Sequence, residues 1–343
     1  MADAGGYWLN LAEAQKLTQS VLVPGVIEEN IRRGGLLSVL PLQQFTGLSM
    51  KWNRESTERL ARVTSIGDVL TWSDNITYTQ YERDLKELYD QTPLNRFVEA
   101  QYGTFNNYEA ITLRGLRKGC IRKLEDLLLY GDLTYGDGAS GREFDGLHAW
   151  AADAAAAINI DEGEGALSLN NMRILADEMK HDFDFWLMPY NLARRISAYY
   201  QEVGSVVSGR SHVGSFQLTM NEAGMPMMFW DGKPIIRSDY MVAEQANTGL
   251  TTASARAKHT SGTAQYSILA VKLGQIAEGD PGVTMGFGGP DSTPGEPFGL
   301  TVFDKLENYN AKGLRLVGNF ALAAASQYSV GRIADITDVA ITE

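Results

Sequence analysis

The clearest periodic pattern in the chain runs from residue 105 to residue 131. Apolar side chains recur there at spacings of three and four, which place them on one side of an α-helix. They are Leu113, Leu116, Cys120, Leu124, Leu127 and Leu128. An adjoining side carries the basic residues Arg114, Arg117, Lys118 and Arg122. The pattern predicts a long helix over 105–131, ended by Gly131, because glycine readily takes a left-handed conformation.

A second pattern, with a period of two, marks residues 49–92. Polar and apolar positions alternate in stretches rich in Thr, Tyr and Val, which is typical of β-strands. The pattern predicts a long two-stranded excursion that ends at Thr92-Pro93, followed by a short helix over 94–102. An isolated hairpin is only marginally stable in water. We therefore expect this one to contact a surface outside its own domain.

The flanking segments predict shorter elements. Residues 1–48 mix short helical patterns with an apolar, extended run at 36–42, which is typical of an arm lying across another surface. Residues 147–264 predict an α/β block with a helix capped by Ser168 and a hairpin turning at Asp231-Gly232. Within that block, residues 242–264 are polar and predict an exposed loop. Residues 265–343 predict mainly strands.

Composition narrows the function classes. The 343 residues carry a formal net charge of -12, which argues against a dedicated nucleic-acid-binding protein but leaves room for a local basic face. The single cysteine, Cys120, cannot form an internal disulfide. No run approaches the roughly 18 consecutive apolar residues of a membrane span. The first residues lack the basic start and apolar core of a secretory signal, so we expect a cytoplasmic protein.

No set of residues predicts catalysis, a cofactor or a metal. The glycines of Gly136-x-Gly138-x-x-Gly141 follow a helix, whereas a dinucleotide-binding fingerprint follows a strand. His181, Asp182 and Asp184 in a turn are better explained as capping and solvated charge. The acidic turn at 161–164 lacks the number of ligands of a calcium loop. We therefore expect no catalytic, cofactor-binding or metal-binding residues.

The order of these features resembles the major capsid proteins of tailed bacteriophages, which have the Hong Kong 97-type capsid fold. In that family a long helix ends in a short motif, and a glycine-rich link, a strand-to-helix segment and a hairpin follow. The matching segments here are Leu127-Leu-Leu-Tyr-Gly-Asp132, Phe144-Asp-Gly-Leu147, Phe185-Trp-Leu-Met-Pro189 and Trp230-Asp-Gly-Lys-Pro-Ile235, the last followed by Ser238-Asp239.

The resemblance implies an α+β protein with an N-terminal arm, an extended β loop, a peripheral domain with a long spine helix, and an axial domain. The implied boundaries are 1–48 for the arm, 49–92 for the loop, 93–146 with 265–343 for the peripheral domain, and 147–264 for the axial domain. The spine helix is the one predicted over 105–131.

The implied function is assembly. Copies of the chain would form the hexamers and pentamers of an icosahedral phage head around double-stranded DNA, in a virion assembled in the host cytoplasm. No helical prefix precedes the arm, which in this family implies a separate scaffolding protein or a removed segment. Portal and decoration proteins are further candidate partners, and a membrane is not expected.

Two sets of residues are candidate contacts in such a shell. We hypothesise that the basic stripe of Arg114, Arg117, Lys118 and Arg122 faces packaged DNA, whose phosphates attract it without base readout, or the acidic surface of a neighbour. Burial of all four heads in intrachain pairs would rule this out. The candidate inter-subunit contacts in or beside the loop are Lys51, Trp52, Arg54, Arg59, Arg62 and Trp72.

Two alternatives stay open. The nearer is an encapsulin-like bacterial compartment, which shares the fold and encloses cargo enzymes. The long excursion at 49–92 favours a virus over such a compartment, because compartment proteins tend to shorten it. The more distant alternative is a soluble metabolic enzyme, which only the ordinary composition favours.

Overall fold

The chain is described by a computed structural model over residues 32–56, 61–70, 72, 76–102, 108–133, 141–206, 216–220, 226–245, 258–259, 262–288, 296–307 and 309–342. Its α-helices are α1 (Arg96–Tyr102), α2 (Tyr108–Tyr130), α3 (Leu147–Ala152), α4 (Leu169–Glu178) and α5 (Tyr190–Val206). Short 3-10 helices cover Ala156–Ile158 and Ile276–Glu278. The strands are β1 (Leu42–Phe45), β2 (Ser49–Glu55), β3 (Tyr78–Asp84), β4 (Lys86–Asn95), β5 (Asn159–Asp161), β6 (Ala166–Ser168), β7 (Phe185–Met188), β8 (Phe216–Met220), β9 (Pro226–Trp230), β10 (Lys233–Arg237), β11 (Glu244–Gln245), β12 (Ala264–Val271), β13 (Val283–Gly288), β14 (Gly299–Phe303), β15 (Ala311–Ala324) and β16 (Val330–Thr342).

The larger of two main sheets has nine strands in the described chain. Its order is β5-β16-β12-β7-β10-β9-β8, with β6 paired to β16 and β11 to β12. Every residue of β7 is buried, as expected for an apolar run covered on both faces. Helices α4 and α5 pack against β16. Trp186, Trp230 and Ile268 lie in the apolar core that results.

The smaller main sheet has five strands. Its order is β1-β13-β15-β14, and β4 pairs with β15 along residues 311–320. Helix α2 packs against β4 and β15. The approach is close: a Cβ atom on Gly119 would lie 3.0 Å from Oδ2 of Asp90. The glycine inside the helix therefore permits this packing, at a cost of roughly 1 kcal/mol in helix propensity.

The apolar face predicted for the long helix is confirmed. Leu124, Leu127 and Leu128 are buried in a core cluster that also holds Phe144 and Leu322. This cluster contains residues from both main sheets, so α2 is a strut packed between them and not an isolated helix. Because α2 spans 108–130, the predicted helix over 105–131 is confirmed within the described residues.

Gly131 ends this helix for a different reason from the one predicted. It is absent from the positive-φ glycines of the described residues. A Cβ atom there would lie 2.3 Å from the carbonyl oxygen of Phe144 and 2.5 Å from that of Leu127. The position therefore requires glycine because two backbone segments approach it closely.

Several local predictions are confirmed. Ser168 caps α4, because its Oγ accepts a hydrogen bond from the backbone N–H of Asn171 at 3.4 Å. Asp231 and Gly232 have φ values of 50° and 78°, as a tight two-residue turn between β9 and β10 requires. The helix predicted from Tyr190 to about Val203 continues to Val206.

Three predictions need correction. Residues 36–40 form a turn, not an extended run, and β1 begins only at Leu42. Strand β4 passes through Thr92-Pro93 and ends at Asn95, so the two-stranded excursion proper is β2 with β3. Glu244, placed in the exposed loop over 242–264, is only 1% exposed.

The domain boundaries stay a prediction, and the sheets bear on one of them. Strands β12 and β16 fall after residue 264, yet they pair with strands of residues 147–245 in the nine-stranded sheet. Strands β13, β14 and β15 lie with β4 in the other sheet. A boundary at residue 265 therefore crosses the nine-stranded sheet. The predicted arm over 1–48 lies outside the described residues up to residue 31.

Candidate assembly surface

The hairpin of β2 and β3 is fixed to the rest of the chain at its root. Trp52 and Tyr81 face each other across the two strands, with ring centroids 6.0 Å apart in a stacked arrangement. The Trp52 ring also lies 6.1 Å from that of Trp150 in α3. Met50, two residues before Trp52 and therefore on the same face of β2, is 1% exposed. This face of the root is part of the core.

Beyond the root, the apolar side chains of the hairpin are exposed. Residues 61–70 and 72 form the described part of the tip, and its large apolar side chains have no cover from this chain. The exposed fractions are Val63 99%, Ile66 109%, Val69 87%, Leu70 78% and Trp72 98%. Water contact at this many neighbouring apolar groups is unfavourable and marks a contact surface.

A second apolar surface lies on the five-stranded sheet. Asp90 points toward α2, so its neighbour Tyr89 points to the opposite face of the sheet. On that face a groove of about 680 Å³ is lined by Tyr89, Pro93, Phe303, Tyr309 and Arg315, among others. Tyr89 is 60% and Tyr309 is 51% exposed. The Arg315 guanidinium lies 5.0 Å from the Phe303 ring centroid, so the groove combines aromatic surface with positive charge.

The basic stripe lies largely at the surface of α2. Arg114, Arg117 and Lys118 are exposed and Arg122 is half-buried. The condition that would rule out the stripe as a contact surface, burial of all four heads, is therefore not met. The acidic residues of this helix bond elsewhere: Glu125 accepts from the backbone of Leu37, while Asp126 pairs with Lys258 and Glu109 with Lys312.

A buried polar cluster, which the sequence analysis missed, joins the end of α2 to the nine-stranded sheet. Glu244 is at its centre. Its carboxylate accepts hydrogen bonds from Arg332 at 2.9 Å, from Ser267 at 2.6 Å and from the Tyr130 hydroxyl at 3.1 Å. His148 Nε2 lies 3.4 Å from the same carboxylate. Each of these five side chains is at most 3% exposed.

The environment of this cluster fixes its protonation. Burial alone would raise the pKa of Glu244, but the charges and hydrogen bonds of its partners lower it to about 2. Burial, together with Arg332, lowers the pKa of His148 and outweighs the attraction of Glu244. Burial, followed by the charge of Glu244, raises the pKa of Tyr130. An anionic Glu244, a neutral His148 and a protonated Tyr130 are therefore the stable forms, which suits a structural joint.

Comparison with known proteins identifies the fold. No protein-family model and no curated protein matches the sequence. The holo-SrpI encapsulin complex from Synechococcus elongatus PCC 7942 matches with a TM-score of 0.64 at 12% identity, over 97% of this chain and 98% of that one. The capsid of cyanophage A-1(L) matches with a TM-score of 0.64 at 11% identity, over 94% and 98%. The capsid of Myoviridae phage XM1 matches with a TM-score of 0.59 at 11% identity, over 91% and 95%.

The chain has the Hong Kong 97-type capsid fold. The α+β architecture expected from the sequence is thereby confirmed. In the terms of this fold, the β2–β3 hairpin is the extended loop and α2 is the spine helix.

The residues proposed as loop contacts separate into three groups. Trp52 and Arg54 need correction: Trp52 is 8% exposed within its own chain, and the Arg54 guanidinium donates to the carbonyl oxygens of Ala324 and Ala325. Lys51, Arg62 and Trp72 are exposed, so their role between subunits stays a prediction. Arg59 lies outside the described residues.

The residues considered for chemistry do not form a site. Burial, with a contribution from Asp90, raises the pKa of the Cys120 thiol to about 11, which disfavours the nucleophilic thiolate. No group of three histidine, cysteine or acidic residues in the described ranges is placed to hold a metal ion. Of the glycines at 136, 138 and 141, only Gly141 is described. No described helix is long and apolar enough to cross a membrane.

Proposed function

We propose that this chain is the major capsid protein of a tailed bacteriophage, assembling with copies of itself into an icosahedral head around double-stranded DNA. The observation that carries the proposal is the projecting loop of a capsid fold, whose tip leaves Ile66 and Trp72 almost fully exposed. Exposed apolar surface of this size is stabilised by burial against another molecule. In a closed shell, every subunit supplies that surface to a neighbour.

The groove on the five-stranded sheet is the surface that we propose for the tip of a second copy. It lies on the same chain as the tip, so a head-to-tail contact between identical subunits can repeat around a ring. Hexamers and pentamers are such rings, and they are the capsomers that we propose. Introduced cysteine pairs test the contact in a chain whose own cysteine is changed to serine.

Ile66→Cys with Tyr309→Cys is expected to give disulfide-linked oligomers under mild oxidation. Ile66→Cys with Ile174→Cys is the matched control, because Ile174 is 41% exposed on α4, outside the groove. Equal crosslinking by the two pairs would refute the groove as the acceptor.

The basic stripe supports an interior that faces DNA. Residues 110–124 of α2 contain five basic residues and no acidic one. Phosphate binding by such a surface is independent of base sequence and weakens with salt. Arg114→Gln with Arg117→Gln is expected to reduce the salt dependence of duplex DNA binding by about 0.9 in log–log slope per lost contact. Arg194→Gln, at a 70% exposed arginine on α5, is the charge-matched control.

The rest of the proposal concerns partners and location. A separate scaffolding protein, a portal and decoration proteins are the other proteins that we propose to meet this chain. Assembly in the host cytoplasm and residence in the virion follow from the same function. The proposed division into arm, loop, peripheral domain and axial domain assigns the loop tip and the groove to separate parts of each subunit.

An encapsulin-like shell is the second candidate. It is supported by the match to the encapsulin complex, whose TM-score of 0.64 equals that of the cyanophage A-1(L) capsid. The contents of nuclease-treated particles from the producing cells separate the two. Protected double-stranded DNA supports the phage head, whereas a second protein without nucleic acid supports the compartment.

Sedimentation and electron microscopy of the expressed chain test the shell itself. Capsomers or megadalton particles are expected, and a small oligomer at all concentrations would favour the metabolic enzyme instead. Ile66→Asn is expected to reduce particle formation because it makes the tip polar. Ile174→Asn is the matched control. Normal particles from Ile66→Asn would contradict a role of the tip in assembly.

A further inference from the structure

The direction of the loop is set by contacts that converge on the indole of Trp150. The Arg83 guanidinium of β3 lies 4.7 Å from the centroid of this ring. The Arg54 guanidinium of β2 lies 5.9 Å from it and 4.1 Å from the ring of Tyr81. Trp150 is itself held, because its Nε1–H donates to the carbonyl oxygen of Leu322 at 3.2 Å. Each strand of the hairpin thus supplies one arginine to a fixed aromatic surface.

Each arginine also bonds to a different part of the body. Arg54 donates through Nε and a terminal nitrogen to the carbonyl oxygens of Ala325 and Ala324, at 2.7 and 2.6 Å. Arg83 forms an ion pair with Asp145, in the segment before α3, with Nε and Oδ2 3.0 Å apart. The end of β15 and the start of the 141–152 segment are therefore both attached to the hairpin.

The two attachments are separated along the hairpin, and this separation matters. Arg83 pairs with Met50 and Arg54 with Thr79, so the two arginines lie four residue pairs apart. At about 3.3 Å per residue this is roughly 13 Å. One attachment would leave the hairpin free to swing about it, whereas two attachments at this distance restrict its direction.

We infer that Arg54 and Arg83 are positioning residues, which hold the loop in one direction before another subunit is bound. The purpose of this positioning, presenting the tip to a neighbour, rests on the proposed function. Arginine suits the role because its planar guanidinium stacks on an aromatic ring while its edge bonds to oxygen. A preformed direction also reduces the ordering cost of each contact during assembly.

Distances between spin labels in the free subunit test this inference. In a Cys120→Ser chain, labels at Gln80→Cys and Glu178→Cys join the exposed face of β3 to α4. Subunits kept below the assembly concentration are expected to give one narrow distance distribution. Arg54→Gln with Arg83→Gln is expected to at least double its width. Lys51→Gln removes a charge from the opposite, solvent-facing side of β2 and is expected to leave the width unchanged.

The result that overturns the inference is a distribution as narrow in the double variant as in the parent. If the double variant lacks the circular dichroism spectrum of the parent, Arg83→Gln alone is measured, and its unchanged width overturns the inference in the same way. Arg54→Lys with Arg83→Lys keeps both charges, and because lysine lacks the planar fork, broadening is expected there too. A narrow parent distribution in a chain that never forms particles would support the positioning role and refute the shell.

Discussion

Two tryptophans of the same hairpin have opposite surroundings. Trp52, at the root, is 8% exposed and stacks on Tyr81, whereas Trp72, in the tip, is 98% exposed. Both were predicted to contact other subunits, because both belong to the same excursion. The comparison teaches that the excursion contains two physically different surfaces. The root stabilises the fold of its own subunit, and the tip is left for association.

The largest expected effect is the loss of folding stability in Trp52→Ala. This substitution removes a buried indole that packs on Tyr81 and Trp150, and such truncations cost about 3–5 kcal/mol. The measurement is the free energy of unfolding of the unassembled subunit in urea. A loss below about 1 kcal/mol would contradict the assignment of the root to the core.

Acidification is expected to have the next largest effect, and it separates the body from the tip because residues 61–72 contain no histidine. Burial lowers the pKa of His148, so the folded subunit keeps it neutral at pH values where the unfolded chain protonates it. The unfolded state then binds more protons, and the free energy of unfolding falls as the pH drops through about 6.5.

His148→Gln isolates this effect, because glutamine can still donate to Glu244 but does not titrate. The parent is expected to lose more stability than the variant between about pH 7 and about pH 5. Identical pH profiles would show that His148 does not titrate differently on unfolding. Glu244, with its pKa of about 2, contributes stability that is lost only at more acidic pH, from about 4.5 downward.

A smaller effect is expected at the solvent-facing side of the root. Lys51 pairs with Glu82 at 3.0 Å, but the two side chains are 53% and 49% exposed. Exposed pairs of this kind contribute about 0.2–1 kcal/mol and weaken with salt. Lys51→Ala is therefore expected to change the free energy of unfolding by no more than this. A loss as large as that of Trp52→Ala would mean that both faces of the root are structural.

The smallest effect on folding is expected at the tip. Trp72→Ser removes an indole without contacts that stabilise the subunit, so the free energy of unfolding is expected to stay within about 0.5 kcal/mol of the parent. Particle yield, measured by sedimentation, is expected to fall. Unchanged particle yield would assign the exposed tip to some other partner.

Local signals in the sequence were enough to place many elements. The Ser168 cap and the Asp231-Gly232 turn depend on residues that are close in the chain, so their patterns are visible without the fold. The long helix was predictable because its apolar period extends over several turns. The position of Gly131 was predictable too, but its reason was not, because the neighbouring carbonyl of Phe144 comes from a later segment.

Non-local contacts were out of reach of pattern reasoning. Tyr130, His148, Glu244, Ser267 and Arg332 meet in one cluster although the chain separates them widely. A buried glutamate in a polar stretch looks like an exposed one until its partners are placed. Trp52 and Trp72 could not be told apart for the same reason: alternation assigns a residue to a face of a strand, but not to what covers that face.

The pairing of β2 with β3 has a consequence for how such shells diversify. Side chains along a strand alternate between faces, so two extra residues in each strand beyond the root would leave Trp52, Arg54 and Arg83 facing the body. One extra residue in a single strand would disturb the register at the point of insertion. Relatives of this chain are therefore free to reach farther or less far in steps of two residues, adjusting spacing and curvature while each building block folds unchanged.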